Sequence, residues 1–163
     1  MKNIINFILF QAGWFACILF AAKDKAWYGI TIILAIVAIH VALTRPKLNE
    51  FRLYFYTVLI GLLFDTLMRG FELITYEDAI SPHPIAPIWI LSMWLLFAIT
   101  IRHSLYWLNS YKIGQVMLGL IGGPLAYIAG EKLGAVTLYE TSLYFLALGW
   151  GVITPALFYW DKK

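Results

Sequence analysis

Hydrophobic residues run along the chain in six blocks, each about as long as a bilayer-crossing helix, and each closed by a charged or turn-forming stretch. The blocks predict helices over about 3–22, 27–44, 53–74, 87–108, 113–130 and 137–160. The fold class is therefore an all-α integral membrane protein, a six-transmembrane-helix bundle, with one transmembrane domain over 1–163. The breaks are Lys23-Asp-Lys25, Arg45-Pro-Lys47…Arg52, Tyr76–Pro84, the polar turn around Asn109, and Glu131-Lys132. Gln11 and Trp14 interrupt the first block and five more follow, so it reads as an uncleaved helix rather than a secretory leader. Cys17 follows Trp14-Phe-Ala, without the leucine-like residue that a lipoprotein cleavage site wants.

The fifth block has its own internal pattern. Gly122, Ala126, Gly130 and Gly134 recur every four residues, and Gly119 and Gly123 form a second small-xxx-small pair. In lipid such a face lets another helix approach backbone to backbone. Pro124 removes the hydrogen bond to the carbonyl of Leu120 and predicts a kink in this glycine-rich helix. The stretch is expected to be the packing centre of the bundle.

Composition strengthens the membrane reading. The chain is 62% hydrophobic and 13% charged, against roughly half and a quarter in ordinary globular domains. The net charge of +3 carries no nucleic-acid signal. Its distribution does orient the chain: Lys2, Arg45, Lys47, Arg52, Lys112, Lys162 and Lys163 fall on the side of the termini, with Lys23, Lys25 and Lys132 opposite. This excess predicts cytoplasmic termini, and Asp24, Glu72, Glu77, Asp78, Glu131 and Glu140 then lie outside. Trp27, Trp89, Trp107, Tyr111, Tyr139 and Trp160 fall at the predicted interfaces. Cys17 is the only cysteine, which rules out an internal disulfide.

Charge inside the membrane marks the candidate chemistry. Asp65, Arg69 and Glu72 stand at i, i+4 and i+7, one stripe on the third helix. Either they neutralise one another near the outer surface, or they form a proton-handling site joined by Glu131 and Tyr127. In the second reading Arg69 keeps part of the set charged and leaves one carboxyl as proton donor. His40, Arg102 and His103 gather near the opposite surface and suit an anionic lipid headgroup; the alternative is that Arg102 snorkels to the interface. Gln11 falls near the midplane, level with Gly122–Pro124. It is expected to bond the Leu120 carbonyl or, alternatively, the polar group of a ligand. Trp14, Trp94 and Trp150 lie deep, where they line a pocket for an acyl or isoprenoid chain or face lipid. The three histidines show no metal-ligand spacing, and no nucleotide loop or nucleophile elbow is present, so no metal or cofactor is expected.

Asn6…Gln11-x-x-Trp14-Phe15, Trp89-Ile-Leu-x-x-Trp94-x-x-Phe97 with His103-Ser104, and Gly122-Gly-Pro-Leu-Ala-Tyr-x-Ala-Gly-x-x-Leu-Gly134 span nearly the whole chain. Together they resemble the small bacterial membrane family numbered 2878 among domains of unknown function. The resemblance implies a polytopic bacterial inner-membrane protein, encoded near genes for fatty-acid modification of the cyclopropane-synthase type. It transfers no catalytic residue. Three functions remain: an enzyme, or the membrane subunit of one, acting on membrane lipids; a small transporter or flippase; and a scaffold. The last would meet a membrane partner or a second copy through its glycine face.

Overall fold

The computed structural model describes residues 2–77 and 83–161. The placements expected for Asp78, Lys162 and Lys163 lie outside these residues. Among the described residues there are six main helices: α1 Lys2–Ala21, α2 Ala26–Thr44, α3 Leu48–Gly70, α4 Ile88–Ile101, α5 Lys112–Lys132 and α6 Ser142–Asp161. All but α4 are long and apolar enough to cross a membrane. Their outward faces carry Ile8, Leu34, Phe55, Leu63, Leu148 and Val152 exposed, an apolar girdle that suits lipid and not water.

Helix α4 sits at the centre and is buried nearly all round, from Trp89 and Ile90 through Trp94 and Leu96 to Thr100 and Ile101. Its sequence foretells this, because no charged residue interrupts Ile88–Ile101. α1, α2 and α3 pack on α4, and α5 packs on α6. The expectation that α5 is the packing centre is thus corrected. Helix α4 is also shorter than predicted, giving way to turns and a 3-10 segment at Tyr106–Leu108.

Two short strands, β1 Ile74–Tyr76 and β2 Val136–Leu138, pair antiparallel and close one end of the bundle. Both are rich in β-branched residues, and the alternation in β1 buries Ile74 and Tyr76 while exposing Thr75. They shorten the third and sixth helices relative to expectation. The first now stops at Gly70 and the second starts only at Ser142. Trp89 belongs to this end but not to an aromatic belt. It is buried, and its indole N–H donates to the Glu77 carbonyl at 3.1 Å.

The glycine pattern resolves into three uses. A Cβ on Gly119 would stand 2.1 Å from the Trp150 carbonyl oxygen, so here α5 and α6 do meet backbone to backbone. A Cβ on Gly123 would meet the Trp150 ring at 2.3 Å. Gly122 and Gly130 instead border a cavity, and a Cβ on Gly130 would find only ordinary contacts at 3.5 Å or more. Gly134 leaves the helix with φ +82, a left-handed turn into β2. The kink expected at Pro124 takes the form of a π-helical turn over Leu118–Gly122. The regular ladder is therefore interrupted ahead of the proline, which sits at the start of the following segment where its missing N–H costs least.

Candidate functional site

Asp65 is fully buried, with 0% exposure, and three neutral donors from three other elements converge on its carboxyl. Tyr76 of β1 and Tyr127 of α5 donate to Oδ1 at 2.6 and 2.5 Å, and Trp94 Nε1 of α4 donates to Oδ2 at 2.5 Å. Gly61, one turn before Asp65, makes the last contact possible. A Cβ there would stand 2.2 Å from the Trp94 ring, so glycine lets the indole lie against α3 and reach the acid. Trp94 stacks on Trp150 with centroids 4.4 Å apart and planes 9° apart. That pair is wedged between Gly61 on one side and Gly123 on the other. Two glycines on separate helices thus give the tryptophan stack its position, and the stack helps orient the acid's partners.

The predicted acidic stripe does not hold together. Arg69 is buried beside Asp65 on α3 and donates from Nη1 to the Ile85 carbonyl at 2.6 Å. Glu72 lies beyond the helix end in a left-handed turn, φ 56, and is exposed. Glu131 is exposed too; its Oε1 accepts the Leu138 N–H at 2.8 Å and so ties α5 to β2. Of the five candidate catalytic residues, only Tyr127 bonds Asp65. Tyr76 and Trp94, which the sequence reading did not place in the site, complete its shell. The signal for Tyr76 was the β-branched alternation around it, hidden by running the third helix to Ile74 and placing Tyr76 in the loop that follows.

Trp94 and Tyr127 also form part of the wall of a cavity of about 490 Å³ between α1, α4, α5 and α6. Gln11, Trp14 and Trp150 line it, as the pocket reading of the deep tryptophans expects. Gln11 makes no hydrogen bond with a described residue, so the bond expected to the Leu120 carbonyl is absent. The Leu120 side chain packs instead against Gly151. Phe7 and Leu125, 51% and 56% exposed, stand on the cavity rim on α1 and α5. Apolar residues exposed on helices long and apolar enough to cross a membrane suit hydrocarbon, so the cavity opens on the apolar side of the bundle.

At the end of the bundle away from the sheet, Glu50 organises the cationic residues. Arg102 Nη1 and His103 Nε2 lie 3.8 and 3.6 Å from its carboxylate oxygens, and Tyr54 donates to it at 3.4 Å. His40 is buried edge-on to His103, with ring centroids 4.6 Å apart. Its Nδ1 faces the Asn6 amide nitrogen at 3.4 Å and its Nε2 faces the Tyr54 hydroxyl at 3.3 Å. The network fits a neutral His40 carrying its proton on Nε2. Asn6 closes the cluster by donating to the Ile99 carbonyl and accepting from Ser104 Oγ at 2.7 Å. The residues expected to bind a headgroup, His40, Arg102 and His103, have a structural use here. They do gather, but a carboxylate already faces Arg102 and His103, and the cluster knits α1, α2, α3 and the end of α4 together.

No curated protein and no solved structure matches the chain. The model of one family, described as protein of unknown function (DUF2878), matches residues 3–156. With that match covering nearly all its length, and with the apolar helices such a membrane chain requires, the protein belongs to this family of unknown function.

Proposed function

We propose that the protein is a lipid-modifying membrane enzyme, or the membrane subunit of one, that admits the hydrocarbon chain of a membrane lipid through the side of its bundle. The observation that carries this reading is the sideways-open cavity whose wall residues Tyr127 and Trp94 bond directly to the buried Asp65. A hydrophobic cleft with one polar constellation is the ordinary form of a small-molecule site. Tyr127 carries a hydroxyl proton on the cavity wall, and Asp65 behind it accepts the Tyr127 hydroxyl hydrogen bond. The scaffold alternative loses support, because α6 of the same chain covers Gly119 and Gly123.

Tyr127→Phe keeps the ring and removes the hydroxyl, leaving Asp65 two of its three donors. The variant is expected to accumulate in the membrane like wild type yet to reproduce the lipid profile of a deletion strain. Mass spectrometry of lipid extracts checks this. A wild-type lipid profile in a strain that lacks the gene would overturn the reading.

We further place the protein in a bacterial inner membrane, as the family resemblance implies, with both termini in the cytoplasm on the strength of the excess of Lys and Arg at the end that holds them. Reporters fused after Lys163 should show cytoplasmic activity, and reporters inserted between Glu77 and His83 should show external activity. The reverse pattern would invert the bundle.

A further inference from the structure

We propose that the ligand of the lateral cavity carries an uncharged oxygen function, a hydroxyl or a carbonyl, which Gln11 and Thr154 bind within the membrane interior. This inference rests on the lipid-cavity reading above and names the class of lipid. Among the described residues, the cavity lining includes no Asp, Glu, Lys, Arg or His. A charged group drawn into such a space would lack a counter-charge, and its desolvation would be costly. The occupant is therefore neutral over the length it buries.

Neutral does not mean purely hydrocarbon. Thr154 lines the cavity, is 1% exposed, and its Oγ1 has no hydrogen-bond partner among the described residues. Threonine in a helix ordinarily returns its hydroxyl to a carbonyl one turn back, as Thr57 does here to the Leu53 carbonyl at 2.8 Å. The Gln11 amide lines the same cavity from α1. Polar groups at membrane depth need partners. Gln11 lies about 14 Å along α1 from Lys2, and Thr154 about 10 Å along α6 from Asp161, at 1.5 Å per residue. Those two helix ends belong to the same end of the bundle, so the two groups, on different helices of the lining, sit at similar depth. That depth is nearer the bilayer centre, about 15 Å in, than the headgroups. Ester carbonyls of ordinary phospholipids stay close to the headgroup level. The matching oxygen is therefore on a lipid that enters wholly, or part-way down a chain. Amide and hydroxyl each donate and accept, so alcohol and ketone share the chemistry.

The test uses the purified full-length protein in detergent. Brominated dodecane should quench the fluorescence of the cavity tryptophans Trp14, Trp94 and Trp150, and dodecane, 1-dodecanol and 2-dodecanone then compete for the site. The alcohol or the ketone, or both, should displace the probe at about one-tenth of the dodecane concentration, as one or two net hydrogen bonds allow. In Thr154→Val, and in Thr154→Val combined with Gln11→Leu, that preference should disappear while dodecane competes as before. Equal competition by all three compounds in the wild type, or an undiminished preference in the variants, would overturn this inference and leave the lipid cavity standing. Absence of quenching by brominated dodecane would sink the cavity reading and this inference with it.

Discussion

Gly119→Leu should lower the melting temperature in detergent more than any other single glycine substitution on α5, by about 6–12 °C. At Gly119 the neighbour is the Trp150 main chain itself, 2.1 Å from where a Cβ would be, with Gly151 Cα at 2.9 Å. A side chain cannot be accommodated there by a change of rotamer; α5 and α6 must move apart. Overpacking costs typically about 1–3 kcal/mol and more where the backbone must shift, and about 3 kcal/mol corresponds to the stated fall for a chain of this size. Gly130→Leu supplies the control. Its nearest neighbours are the side-chain tips of Val136 and Ile18 at 3.5 and 3.7 Å, and the added bulk can project toward the cavity. A melt that falls equally for both variants would show that the α5–α6 contact is not what these glycines serve.

That contrast also marks how far sequence reasoning reaches. A four-residue small-residue repeat states that one helix face is thin, and Gly119 and Gly123 use the thinness for close packing. The same repeat at Gly122 and Gly130 makes room for a cavity, and at Gly134 it supplies a left-handed turn. Sequence spacing alone is the same in each case, because the deciding fact is what stands opposite. Hydrophobic block length located all six helices to within a few residues at most ends. It failed after Gly70 and before Ser142, where two three-residue strands adjoin the apolar blocks, and after Ile101, where α4 gives way to turns. The central place of α4 is legible in its charge-free run, whereas a glycine repeat marks a thin helix face and not the centre of a bundle.

For the buried acid, the sequence pointed to Asp65 through the rarity of charge in apolar blocks, and to Tyr127 through its position in the glycine helix. Helical periodicity then assigned Glu72 to the same stripe, an assignment valid only while the helix continues past Gly70. Glu50 was overlooked because the third block was read from residue 53, which left it in the basic loop, whereas it stands in the first turn of α3. Its role as the anchor for Arg102, His103 and Tyr54 comes from three segments meeting at one end of the bundle. No spacing along the chain encodes that meeting.

Asp65→Leu should be the most damaging substitution at the site, lowering the melting temperature and the membrane level most, while Asp65→Asn folds but loses function. Leucine fits the volume approximately but accepts no hydrogen bond. It would leave the Tyr76 and Tyr127 hydroxyls and the Trp94 indole N–H, all buried, without the acceptor they now share. Interhelical hydrogen bonds in membrane proteins are worth about 0.6–2 kcal/mol each, so three together represent about 2–6 kcal/mol, a large part of a typical stability. Asparagine behaves differently because its two ends are unlike. Its carbonyl can take the Trp94 N–H, which only donates, and its NH₂ can point at the tyrosine hydroxyls, which also accept. Tyr127 then loses the acceptor for its proton and must turn its hydroxyl elsewhere. Melting curves and membrane levels should therefore rank wild type above Asp65→Asn and Asp65→Leu last. Lipid extracts from both variant strains should match the deletion strain. A wild-type lipid profile with Asp65→Asn would reduce the carboxyl to a structural acceptor, and Tyr127 would then have to act without an acid behind it.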